Sequence, residues 1–112
     1  MYLTEADGVA LLRRIVEHFG SGELQFDAFN RLGIRSQWLN RVVRNSGSTL
    51  RWAVDSPADI IGAVPGVRLL SWQSPFEAES FRRVPRAYQV MGRVMSVIPA
   101  LKTMAAYRRY AF

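Results

Sequence analysis

Few side chains in these 112 residues could do chemistry by themselves. His18 is the only histidine, and there is no cysteine. That pattern argues against thiolate catalysis, disulfides, cysteine-ligated zinc and a Ser-His-Asp set. Asp55 and Asp59 head one short run and Glu77 and Glu79 another, where helix capping accounts for them. Gly62, Gly66 and the Val64-Pro65-Gly66 turn make no phosphate loop, which needs a glycine-rich run ending in Lys-Ser or Lys-Thr. The residues therefore point away from an enzyme: no catalytic set, no metal and no cofactor are expected. What remains is polar and basic. Arg35, Gln37, Trp38, Asn40, Arg41 and Arg44 lie in one stretch; Arg82, Arg83 and Arg86 lie in a second, and Arg108 and Arg109 in a third. Guanidinium groups suit phosphates, carboxylates and aromatic faces, and amide side chains can read base edges.

The charge around them is uneven. Of fifteen basic residues only Lys102 is not arginine, and the net charge is +6. GC-rich codons would explain the arginine bias as readily as function would. Residues 1–27 carry −3, residues 28–54 carry +5 with no acid, residues 55–79 carry −3, and residues 80–112 carry +7 with no acid. A last third of that kind favours an anionic partner: a nucleic acid, an acidic protein face or, with less support, a membrane surface.

The elements that must position these groups are legible in part. One chain of 112 residues reads as a single domain. Thr4 and Asp7 open a helix over 4–19, with Val9, Leu12, Val16 and Phe19 at helical spacing and Gly20 and Gly22 as its stop. Phe26, Phe29 and Leu32 suggest a second helix over 24–32, and Ser36 caps a third over 37–45. Residues 49–55 and 67–72 read as strands around a short helix opened by Ser56-Pro57-Ala58-Asp59. Such a unit implies a parallel pair with a right-handed crossover; an antiparallel pair with a helical insert also fits. Ser74-Pro75-Phe76-Glu77 repeats the helix-start pattern. From there the spacing predicts a helical tail to Phe112, interrupted at Pro85 and Pro99. Its stripe is Tyr88, Met91, Val94, Met95 and Ile98, continued by Leu101, Met104, Ala105 and Tyr107. The expected fold class is α+β: an N-terminal helical cluster over 4–45, a strand–helix–strand element over 49–72, and a basic helical tail over 75–112.

Over Gln25 to Arg44 the sequence resembles a helix-turn-helix segment. With Gly33 as the turn glycine, Ala28, Leu32, Ile34, Leu39 and Val42 fall where that motif buries residues. Phe29 departs from it, because a small residue is usual where the two helices approach. The resemblance implies a second helix whose exposed Gln37, Asn40, Arg41 and Arg44 reach bases and phosphates. Trp38 is either a core-edge residue or an exposed anchor.

Two non-catalytic readings follow. One is a nucleic-acid-binding regulator that inserts the 37–44 helix into a groove and uses the tail for phosphates. The other is a small adaptor or inhibitor, of the kind found in phages and mobile elements, that docks basic faces on an acidic protein. A homodimer is compatible with both. Glu5 and Asp7 interrupt any secretory leader. The longest uncharged apolar run, Val94 to Leu101, falls well short of the ~20 residues of a membrane span. A cytoplasmic protein is expected.

Overall fold

The computed structural model describes residues 2–77 and 79–112, the side chain of Ser80 excepted. The fold is α+β, as the pattern of elements implied. Helix α1 spans Glu5–Phe19, strand β1 Glu23–Phe29, and the short helices α2 and α3 Arg31–Arg35 and Arg41–Asn45. Helix α4 (Pro57–Ala63), strand β2 (Arg68–Gln73), helices α5 (Arg86–Val97) and α6 (Pro99–Lys102) and strand β3 (Ala105–Ala111) complete the order. Single 3-10 turns occupy Gln37–Leu39, Pro75–Glu77 and Glu79–Arg83.

Elements set by local chemistry form where the residues place them. The Thr4 hydroxyl accepts from the Asp7 N–H at 3.2 Å and opens α1. Ser56 and Asp59 close a capping box on α4, with Pro57 in its first turn. Pro85 precedes α5, and Pro99 sits in the first turn of α6. The expected strand at 67–72 forms as β2.

The remaining expectations are corrected. Residues 23–29 make a strand, not the start of a helix over 24–32. Leu24, Phe26 and Ala28 alternate with Glu23, Gln25 and Asp27, a period of two that competes with the Phe26–Phe29–Leu32 spacing. The third helix is a 3-10 turn and a five-residue helix joined at Asn40. With a strand in place of its first helix, the segment 25–44 has no helix-turn-helix geometry. Residues 49–55 form no strand: the Gln37 amide engages both backbone groups of Leu50, accepting from its N–H at 2.7 Å and donating to its carbonyl at 3.2 Å. The tail does not stay helical. Its last seven strand residues form β3, and the start expected near Phe76 is two 3-10 turns, with Ala78 outside the described residues.

The sheet runs in the order β1-β3-β2. β3 is antiparallel to both neighbours, so β1 and β2 run parallel to each other with β3 between them. Phe29 pairs with Ala105 and Gln73 with Tyr107, which puts the carboxyl ends of β1 and β2 at the same edge of the molecule. A bulge between Leu69 and Ser71 shifts β2 by one residue. Helices α1 and α4 cover one sheet face around a core of Leu12, Leu24, Val54, Ile60, Val64 and Tyr110. The other face is polar and open, with the Arg109 guanidinium donating twice to Glu23 at 2.7 and 2.9 Å. Most of the α5 stripe also lies open: Tyr88 is 56% and Val94 64% exposed.

Helix α1 meets the core across Gly8. A Cβ added there would lie 2.1 Å from the Trp52 ring. Gly8→Ala gains about 1 kcal/mol of helix propensity, yet it is expected to destabilise the protein by about 1–3 kcal/mol net because the ring must leave its seat. Urea unfolding checks the sign, and in a Trp52→Ala background the same substitution should become favourable.

Candidate functional site at the carboxyl ends of the parallel strands

An apolar cavity opens at the carboxyl end of β1. It has a volume of about 410 Å3 and is lined by Phe29 at the end of β1, Leu32 and Gly33 of α2, Leu39, Leu50, and Met95, Leu101 and Met104 from the α5–α6 side. Three polar residues, Ser36, Gln37 and Asn40, complete the wall, and no ionisable group lines it. A volume in this range suits a small organic ligand.

Hydrogen bonds hold the two walls in place. Buried Asn30 follows β1 directly. Its amide donates to the Ala100 carbonyl at 2.9 Å and to Thr103 Oγ1 at 3.4 Å, while its oxygen accepts from the Gly33 N–H at 2.9 Å. One side chain therefore caps α2 and ties it to α6. Ser74, just after β2, donates to the Lys102 carbonyl at 2.8 Å. The Ser36 hydroxyl donates to Leu32 O, and both ends of the Gln37 amide are taken by Leu50. The Asn40 oxygen caps α3 by accepting from Val42 and Val43. The cavity thus offers shape and apolar surface rather than acid or base chemistry.

A second cleft lies beyond the end of β2, lined by Phe76, Glu77, Phe81, Arg82, Gln89, Gly92, Arg93 and Ser96, with a volume of about 360 Å3. Lys102 pairs with Glu77 and, by donating a hydrogen bond to it, holds its carboxyl below the usual carboxylate range.

The sequence-nominated residues separate. Gln37 and Asn40 line the apolar cavity, with their oxygens committed to the backbone instead of free to read bases. Arg35, Arg41 and Arg44 are exposed, and Trp38 is 66% exposed, so it is not a core-edge residue. Arg82 lines the second cleft, and Arg83 and Arg86 are exposed outside it. Arg109 is engaged with Glu23 on the open sheet face. Arg108 was expected on a basic surface and is 1% exposed. The apolar liners Phe29, Met95 and Met104 read as core in the sequence, and no local signal distinguishes a cavity wall from a core face.

Arg108 lies on the core side of β3 because Ala106, Arg108 and Tyr110 alternate inward. Its Nη2 donates to the Val54 carbonyl, and its guanidinium sits 5.5 Å from the Trp72 ring centroid. Among the described residues Nε and Nη1 have no hydrogen-bond partner, and neither has the Tyr110 hydroxyl. Burial pushes the Tyr110 pKa up, and the neighbouring Arg108 side chain, as a hydrogen-bonding group and as a cation, opposes this only in part. The folded value lies above the ordinary value of about 10. The hydroxyl's contribution to stability is therefore complete below that pH and is lost as pH rises through the folded value. Tyr110→Phe is expected to flatten this alkaline loss and to leave stability near pH 8 unchanged or slightly higher, since an unpartnered hydroxyl is removed. Urea midpoints from pH 8 to 11 read both.

No family model and no solved structure matches the sequence. Two curated proteins do. Over 111 residues the chain is 30% identical to the tetracenomycin polyketide synthesis O-methyltransferase TcmP of Streptomyces glaucescens, a match that takes in 99% of this chain and 41% of TcmP. Over 73 residues it is 34% identical to the S-adenosyl-L-methionine-dependent methyltransferase dpfgK of Gibberella zeae, covering 60% of this chain and 24% of that protein. The chain thus spans about two fifths and one quarter of the lengths of these relatives. Both are methyltransferases, and this overturns the expectation of a non-catalytic DNA-binding regulator, adaptor or inhibitor. That expectation rested on side chains able to do chemistry alone.

Proposed function

We propose that this chain forms the acceptor-binding part of an S-adenosylmethionine-dependent methyltransferase, and that the 410 Å3 cavity at the end of β1 receives the apolar body of the acceptor. The observation that carries the reading is the similarity to TcmP over 99% of the chain. The lining supports it: a polyketide-like acceptor is largely apolar, and Phe29, Leu50, Met95 and Met104 match that surface without a charge to desolvate.

The described residues do not fit the methyl donor. S-adenosylmethionine carries a ribose diol, an ammonium group and a sulfonium, and the apolar cavity has no carboxylate to meet them. The acidic cleft at Glu5, Asp55 and Asp59 measures only about 210 Å3. There Asp55 pairs with Arg31 at 3.0 Å and Asp59 accepts from the Ser56 N–H. The donor would be held by residues outside this chain. The outer edge of β1 also supports a larger assembly: among the described residues its backbone engages only the Val54 N–H, through Phe29 O at 2.8 Å. The open α5 stripe would be covered in the same way. A cytoplasmic location agrees with this reading.

The test is a hybrid in which these residues replace the aligned part of TcmP. Labelled methyl transfer from S-adenosylmethionine to the TcmP acceptor, or to related phenolic and carboxylic polyketides, is the expected result. A hybrid that folds and binds S-adenosylmethionine by calorimetry yet methylates none of them would overturn the proposal.

A further inference from the structure

The fold sorts the positive charge of residues 80–112. Lys102 is neutralised by Glu77, Arg109 by Glu23, and Arg108 is buried in the core. Arg82, Arg83, Arg86 and Arg93 are left exposed, with no ion-pair partner among the described residues. Only Arg82 and Arg93 of these face the cleft beyond β2.

That cleft has an aromatic floor. Phe76 and Phe81 meet edge to face with centroids 5.4 Å apart. Gly92 lets helix α5 close on them, since a Cβ there would lie 2.5 Å from the Phe81 ring. The Gln89 amide donates to the Arg82 and Val84 carbonyls at 3.1 and 2.8 Å and pins the 3-10 turn carrying Arg82 to α5. The one carboxylate on the wall, Glu77, is already paired, so the two free guanidinium groups decide the sign of the local field. An aromatic floor with two cations at the rim, neither of them in an ion pair among the described residues, suits an aromatic anion. The ring packs on the phenyl groups, and the anion meets forked donors.

We propose that this cleft binds a planar aromatic carboxylate, with its ring against Phe76 and Phe81 and its carboxylate against Arg82 and Arg93. The site is distinct from the apolar cavity, and it stands or falls independently of the methyltransferase reading, because binding is measured on the 112-residue chain alone. The probe is 2-naphthoate, compared with the neutral 2-naphthamide and with acetate, by calorimetry and amide chemical-shift mapping. Naphthoate should bind about tenfold more tightly than either comparison compound, the worth of one charged hydrogen bond, and should shift resonances of residues 76–96. Arg82→Gln with Arg93→Gln should weaken it about tenfold or more. Arg83→Gln with Arg86→Gln removes the same charge outside the cleft and should leave affinity within about twofold, as exposed charges at a distance are screened. Equal weakening by both pairs would reduce the effect to diffuse charge and overturn the proposal. Equal affinity for naphthamide would overturn the carboxylate contact, and equal affinity for acetate the aromatic floor. Circular dichroism of each variant separates loss of binding from loss of folding.

Discussion

Met95→Trp in the TcmP hybrid is expected to lower kcat/KM for the acceptor by about 100-fold or more, with affinity for S-adenosylmethionine unchanged. Met95, on α5, lines the apolar cavity together with Phe29 and Leu50. An indole there fills space the acceptor needs, and a displacement of about 1 Å at a reacting centre can cost two orders of magnitude in rate. The fold should tolerate the change at a cost below about 1.5 kcal/mol, because the added volume enters a cavity rather than a packed core. Leu39, in the 3-10 turn, lines the same space and is 62% exposed, so Leu39→Trp should reproduce the kinetic defect with even less effect on stability. Steady-state kinetics with both substrates, beside thermal melts, separate these effects. Unchanged acceptor kinetics in both variants would remove the cavity from the reaction.

Replacing Arg108 is expected to give effects of opposite sign depending on the replacement. The guanidinium is buried with two nitrogens that have no partner among the described residues, and taking such a cation from water costs several kcal/mol. It recovers part of that through Val54 O, about 1.5–3 kcal/mol, and through Trp72, about 2 kcal/mol for a desolvated cation–π contact. Methionine fills a similar volume without charge. Arg108→Met should therefore stabilise the chain by about 1–3 kcal/mol, a rise in Tm of at least about 4 °C for a domain of this size. Arg108→Ala removes the same charge but leaves a void, and should destabilise by about 2–4 kcal/mol. Differential scanning calorimetry at pH 7 measures both. A fall in stability for Arg108→Met would mean that a further group satisfies the guanidinium in solution, and its burial as an unpaired cation would be refuted.

Arg108 also explains why β3 was hidden. The run Ala105 to Ala111 alternates, but one of its inward positions is an arginine between two tyrosines. A pattern rule assigns that residue to solvent and reads the segment as a continuing basic helix. β1 was hidden differently. Leu24, Phe26 and Ala28 support a strand while Phe26, Phe29 and Leu32 support a helix, and the choice falls to pairing with residues about eighty positions away. Residues 49–55 had the composition of a strand and lost it because the Gln37 amide occupies both backbone groups of Leu50.

The candidate site was legible only as fragments. Gln37 and Asn40 were singled out for base recognition and belong instead to the wall of an apolar cavity, where their oxygens organise the backbone. Arg82 was singled out for its charge and lies in a cleft. Phe29, Met95 and Met104 were indistinguishable from core residues, since a cavity wall and a packed interior demand the same side chains.

By itself the sequence determined the α+β class, helix α1, the capping box of α4, strand β2, the proline-marked starts of α5 and α6, and the concentration of positive charge in the last third. These depend on neighbours within about four residues or on composition alone. Tertiary structure alone decided that β3 enters between β1 and β2, that Arg108 turns inward while Arg82 and Arg93 turn out to a cleft, and that an apolar cavity opens where β1 ends. Those outcomes rest on hydrogen bonds and burial between residues far apart in the chain, for which no local pattern carries a signal.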